Sequence, residues 1–202
     1  MKEGIIMSLF DRFKSKEPAR HELCDIPIGS MVELSDTATF EVSDTGSQTF
    51  EVVERKKYEA TDFLRYMYKL VDGEDEVILG VEKIPDTDEY ELARFVIDSE
   101  EKLAEELPDS IVLEYPDPEN EEKTIPVEFL RDDVIKADMT IFNAKKREEY
   151  EVELHEYTAE DGTIMSVELC GDWLTFYVGG AIRREDVNIF PAEEEEEYIE
   201  TY

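Results

Sequence analysis

Apolar and polar residues alternate along most of the chain with a period of two, the signature of strands with one face turned inward. Ser30–Leu34, Thr39–Val42 and Gln48–Val53 show this alternation, the last after an Asp44-Thr45-Gly46 turn. Phe63–Val71, rich in aromatics, faces Val77–Val81 across Asp72-Gly73-Glu74-Asp75, which predicts a hairpin. Further strands are predicted at Tyr90–Ile97, Ile111–Tyr115, Ile125–Phe129, Val134–Phe142, Tyr150–Tyr157, Ile164–Leu169 and Leu174–Val178. Gly179-Gly180 reads as a turn leading into Ala181–Ile189, and Pro116–Lys123 as a polar, proline-broken loop.

Two segments break the strand rhythm. Glu100–Leu107 reads as a short helix closed by Pro108. Near the start, Ser8 with Asp11 three residues on forms a helix cap, and Leu9, Phe10 and Phe13 then share one face until Pro18 stops the run. The fold expected is therefore mainly β (α+β): antiparallel sheets packed as a sandwich or a partly closed barrel, with a short N-terminal helix. Residues 1–20 form the helical segment, 21–190 the β-rich body and 191–202 an acidic tail that includes Glu193–Glu197.

A spacing of 89 residues links Lys56-Lys57 to Lys145-Lys146, Glu59 to Glu148, Tyr68 to Tyr157 and Asp72-Gly73 to Asp161-Gly162. One reading is a duplicated β-unit, residues 50–98 and 139–190. The other is two ordinary hairpins whose turns both use Asp-Gly.

Charge changes the picture more than any motif does. The 202 residues carry 54 acidic and 21 basic side chains, a formal net charge of −33. Such a surface repels phosphate backbones, which argues against direct nucleic-acid binding by the body. It serves either solubility in a saline interior or the recognition of a basic partner, including mimicry of a nucleic acid. Residues 1–20 depart from the rest, with five basic against three acidic side chains. Arg12, Lys14 and Lys16 flank Leu9, Phe10 and Phe13, so the helix is expected to dock on a protein partner or a membrane surface. Trp173, the single tryptophan, is a second candidate partner anchor, although a lone tryptophan in a β-protein also suits its core.

Candidate chemistry is sparse. The two histidines, His21 and His155, lie near no nucleophile motif, and Gly179-Gly180 lacks the Lys-Ser/Thr of a phosphate loop. His21-x-x-Cys24 has ligand spacing, but His155 and Cys170 stand fifteen residues apart, so no metal and no cofactor are expected; Cys170 is read as buried and His155 as superficial. The acidic clusters lack the calcium-loop pattern. The longest mostly apolar stretch, Trp173–Ile182, is about half the ~20 residues of a membrane helix, and no cleavable leader is recognised; a cytoplasmic location is expected.

Met7-Ser8-Leu9-Phe10-Asp11-Arg12-Phe13-Lys14 ahead of an acidic β-rich body resembles the YjfK-like family of uncharacterised proteins. Asp62-Phe63-Leu64-Arg65-Tyr66, running on to Asp72-Gly73-Glu74-Asp75-Glu76-Val77-Ile78-Leu79, is similar to that family's aromatic strand, acidic turn and returning strand. The resemblance implies a link to phage-shock-type membrane-remodelling systems and brings no catalytic residues. The functional expectation is a non-catalytic interaction or adaptor protein. The alternatives are an acidic decoy for the basic groove of a nucleic-acid-binding protein, and an enzyme with a carboxylate site.

Overall fold

A computed structural model describes residues 23–39, 46–117 and 120–192, with side chains at 117 and 120–122 excepted. Its strands are β1 (Met31–Ser35), β2 (Ser47–Ala60), β3 (Phe63–Asp72), β4 (Asp75–Lys83), β5 (Tyr90–Lys102), β6 (Ser110–Asp117), β7 (Asn120–Asn143), β8 (Lys146–Ala159), β9 (Ile164–Cys170), β10 (Trp173–Ile182) and β11 (Val187–Phe190). One four-residue helix, α1 (Asp36–Thr39), and a 3-10 turn at Arg184–Asp186 complete the described elements. Among the described residues no helix is long and apolar enough to cross a membrane.

All eleven strands belong to one antiparallel sheet, in the order β11-β1-β2-β3-β4-β5-β10-β9-β8-β7-β6. A further pairing, Glu54–Glu59 of β2 with Asp138–Asn143 of β7, bends the sheet back on itself. Eight strands, β2-β3-β4-β5-β10-β9-β8-β7, thereby close into a barrel, and the sandwich alternative falls away. Closure pairs β2 with β7 and leaves only β11 and β6 as terminal strands among the described residues. β1 and β11 extend from the first half of β2, and β6 extends from the first half of β7.

Strand alternation sorts the apolar side chains into one interior and two exterior clusters. The interior holds Tyr58, Met67, Ile78, Phe95, Met139, Leu154 and Tyr177, drawn from strands all round the ring. Outside, Tyr66, Tyr68, Leu70, Leu79 and Val81 are covered by β1, β11 and the segment bearing Leu23 and Ile26. On the opposite side, Tyr157, Met165, Val167, Leu174 and Phe176 are covered by Phe129 and Leu107.

The two halves, β1–β5 and β6–β10, are meanders of the same order that meet at β5–β10 and at β2–β7. The turns at Asp72-Gly73 and Asp161-Gly162 occupy corresponding places, between β3 and β4 and between β8 and β9. Each glycine takes a positive φ, 63° and 88°, which suits a residue without Cβ. Tyr68 and Tyr157 also correspond. The lysine pairs do not: Lys56-Lys57 lies within β2, opposite Met67 and Tyr66, whereas Lys145-Lys146 sits at the turn between β7 and β8. The reason is length, since β8 begins further ahead of its tyrosine than β3 does. The two meanders run over residues 31–102 and 110–182, where the duplicated unit was expected over 50–98 and 139–190.

Several local expectations are corrected. Glu100–Leu107 is not a helix: β5 runs on to Lys102 because Glu100–Lys102 pair with Trp173–Thr175, and ladder hydrogen bonds override helix propensity. Thr39 ends α1 instead of opening a strand, and residues 40–45 lie outside the described residues. Ile125–Phe129 and Val134–Phe142 are parts of one strand, bent by an irregularity between Arg131 and Asp133. Much of the expected loop Pro116–Lys123 is strand, since β7 begins at Asn120. Gly179-Gly180 is no turn but lies inside β10. A Cβ on Gly179 would stand 1.9 Å from the Arg94 carbonyl oxygen, so glycine permits the close β5–β10 approach. The strand predicted over Ala181–Ile189 is broken at Arg184–Asp186.

Candidate functional site

Among the described residues, two side-chain networks join strands that are not neighbours in the ring by crossing the barrel interior. In the first, Lys56 Nζ of β2 donates to Glu168 Oε1 of β9 at 2.9 Å and to the Tyr177 hydroxyl of β10 at 2.9 Å. The Tyr58 hydroxyl donates to the other Glu168 oxygen, Oε2. In the second, Arg65 of β3 donates through Nε and Nη2 to Glu82 Oε2 at 2.8 and 2.6 Å. Its Nη1 reaches Glu156 Oε1 of β8 at 2.7 Å and Ser166 Oγ of β9 at 3.2 Å. Ser166 Oγ in turn donates to Glu156 at 2.8 Å.

Strand parity explains how the chain delivers these groups inward. In β9, Met165 and Val167 face the exterior cluster, so Ser166 and Glu168 necessarily face the interior. Glu168 and Arg65 are both buried, 4% and 8% exposed. A buried charge is tolerable only when it is paired and hydrogen-bonded, and each of these has several partners.

The electrostatics fix the protonation states. Burial by itself would lower the Lys56 pKa, but Tyr177 and Glu168 more than reverse this, so the ammonium stays charged. Burial first, and then Glu168, push Tyr177 up to about 12 and Tyr58 well above its ordinary value, so both remain neutral donors. For Arg65, burial is likewise outweighed by Glu156 and Glu82. Lys56, Tyr58, Tyr177 and Arg65 therefore keep one protonation state through the neutral range, the opposite of what proton transfer requires.

One mouth of the barrel opens into a cavity of about 530 Å³, lined by Arg65, Glu82, Tyr90, Phe95, Glu156 and Ile164 among others. Gly80 makes room at its wall, since a Cβ there would stand 2.7 Å from the Phe95 ring. A larger groove of about 820 Å³ is bordered by Glu59, Lys136, Asp138, Glu151 and Glu153, and Ala137 and Val152 of the interior cluster also line it.

Of the residues singled out from sequence, Leu9, Phe10, Arg12, Phe13, Lys14 and Lys16 lie outside the described residues, as does His21. Trp173 opens β10 opposite Cys170 and Lys102 and is 49% exposed, so it does not fill the core. The expected contrast between Cys170 and His155 is inverted: His155 is buried and Cys170 half-buried. Their register positions differ, with Cys170 opposite Val152 and His155 opposite Val167. Among the described residues no group of three side chains stands ready to hold a metal ion.

Sequence reasoning missed both interior networks. Their one sequence signal is a polar residue on each second position of an otherwise apolar strand, as at Ser166 and Glu168. Compared with family models, curated proteins and solved structures, the chain matches none.

Proposed function

We propose that this protein is a non-catalytic interaction protein whose working surface is its acidic exterior. The observation that carries the reading is the state of the interior. Its strongest acid–base groups neutralise one another in two cross-barrel networks, and Lys56, Tyr58 and Tyr177 are held away from any protonation change near neutral pH. The interior thus acts as a brace, and the face offered to other molecules is outside. There the charge favours a basic partner, and half-exposed Trp173 supplies an aromatic anchor. The resemblance to the YjfK-like family directs that reading toward a membrane-remodelling partner. An acidic decoy for a nucleic-acid-binding protein is the second reading, favoured by the same net charge of −33.

Affinity capture with the full chain at low and high salt tests the proposal. A basic protein retained at low salt and released at high salt is expected, with weaker retention by Trp173→Ala. Retention of nothing at low salt, together with turnover of a small molecule that Lys56→Met abolishes, overturns it. Competition by duplex DNA or RNA for the retained protein selects the decoy reading.

A further inference from the structure

We propose that the open edge of β6 is a docking site for an extended segment rich in lysine or arginine and aliphatic residues, added to the sheet as a twelfth strand. This rests on the reading of the molecule as an interaction protein and names the place and the chemistry of the contact. Among the described residues, β6 pairs with β7 alone and is the terminal strand of the sheet on its side.

The direction of its backbone groups follows from one bond. Arg131 N–H donates to the Asp109 carbonyl at 2.9 Å, so residue 109 points its carbonyl at β7. Alternation then turns residues 111, 113 and 115 toward β7, and Ser110, Val112, Glu114 and Pro116 toward the open side. Two prolines agree with this assignment. Pro116, which has no N–H to offer, stands on the open side, and Pro126, opposite Glu114, is in register where β7 gives no hydrogen to β6. Ser110, Val112 and Glu114 therefore present unpaired strand edge to an incoming chain.

The side chains around that edge define the partner. Val112 and Leu130 are each 56% exposed, which offers an apolar contact beside the ladder. Glu114, Glu128, Asp109 and Asp132 are exposed around them. Such a rim attracts a basic strand and repels an acidic one. A second copy of this chain is disfavoured as the occupant, because each copy carries −33 and edge-to-edge pairing would bring two acidic rims together. The sheet's other terminal strand, β11, is a weaker candidate: it has four residues, ends at Pro191, and is tied down by Ala192 N–H to Ser30 Oγ at 3.0 Å.

The probe is an end-capped octapeptide of alternating lysine and valine, titrated calorimetrically into the full chain at low ionic strength. Saturable one-to-one binding is expected, with new hydrogen-exchange protection at Ser110, Val112 and Glu114. A glutamate–valine peptide should not bind. Methylating the alternate peptide amides that face β6, which leaves the protein untouched, should weaken binding about tenfold or more, and so should Val112→Pro with its melting temperature preserved. Equal affinity of the methylated peptide, or self-association through β6 without peptide, overturns the edge site. If binding persists, salt-sensitive but indifferent to methylation, the acidic-surface reading survives and the edge site falls. If neither peptide binds and affinity capture also retains nothing, both readings fall.

Discussion

The two halves of the barrel solve one problem with the same parts and finish it differently. In the first half, buried Tyr68 donates its hydroxyl hydrogen to the Leu23 carbonyl at 2.8 Å. Across the ladder from it, Arg55 reaches the Ile26 carbonyl and pairs with Asp25 at 3.4 Å. In the second half, buried Tyr157 donates to the Pro108 carbonyl at 2.9 Å. Across from it, Arg131 reaches the Leu107 carbonyl at 3.0 Å and pairs with Asp109. Each tyrosine–arginine clamp thus fastens the covering segment that precedes the half's first strand. Two residues before the tyrosine, however, the halves part. Tyr66 stacks on Tyr68 and donates to Asp25 at 3.2 Å, whereas His155 is buried and neither ring nitrogen makes a hydrogen bond among the described residues. Glu153 stands 3.6 Å from His155, too far for one. The first clamp is the more complete, and its covering segment should be the last to open.

The joint between the halves gives the largest expected effect. Gly179→Ala drives a methyl into the Arg94 carbonyl, and a loss of about 4–5 kcal/mol or more is expected in denaturant unfolding. Gly80→Ala crowds the Phe95 side chain rather than backbone, and should cost roughly 1–3 kcal/mol. The reverse order would show that the halves do not depend on the β5–β10 seam.

Next come the interior carboxylates. Glu168→Ala strips Lys56 of its ion pair inside the barrel, an expected loss of about 3–5 kcal/mol. Glu82→Ala leaves Arg65 with Glu156 and Ser166, and a loss of roughly 1–3 kcal/mol is expected. Chemical denaturation of the two variants side by side measures the difference.

The clamps themselves differ by less. Tyr68→Phe orphans the Leu23 carbonyl and a bond from the Ile26 N–H, at about 1–3 kcal/mol. Tyr157→Phe frees only the carbonyl of Pro108, an exposed residue that water can reach, at about 0.5–1.5 kcal/mol. Hydrogen exchange should then open residues 23–28 in the first variant and 103–109 in the second.

The smallest effect is a pH dependence carried by His155. Burial lowers its pKa in the folded state below the ordinary 6.5, opposed by Glu153 and aided by Arg131, with Glu156 also raising it. The unfolded chain therefore takes up a proton that the folded chain refuses. Stability is full above about pH 6.5 and declines as pH falls below it, toward the folded-state value. The melting temperature should slope down over that window, and His155→Phe should flatten the slope without touching the first half.

These expectations also mark how far the sequence could be read. The hairpin at Asp72-Gly73 and its counterpart at Asp161-Gly162 were legible, because a turn with positive φ leaves a glycine in the text and its flanking strands alternate locally. Glu100–Lys102 was misread as helix because its partner, Trp173–Thr175, lies about seventy residues away. Trp173 could be read either way, since exposure belongs to the finished surface. The interior networks were illegible for a statistical reason: among 54 carboxylates, nothing local distinguishes Glu168 from its neighbours.

The alternation of apolar and polar residues determined by itself that the chain would form antiparallel strands, and the count of charges determined that its outside would be acidic. Both are local or additive properties, and need no knowledge of which strand meets which. The tertiary structure alone decided that β2 and β7 would close the sheet. With closure, one parity of residues became an interior and the other an exterior. Only then did Lys56, Tyr58, Arg65, Glu156 and Glu168 face one another, because long-range register, unlike strand formation, is set by the packing of the whole barrel.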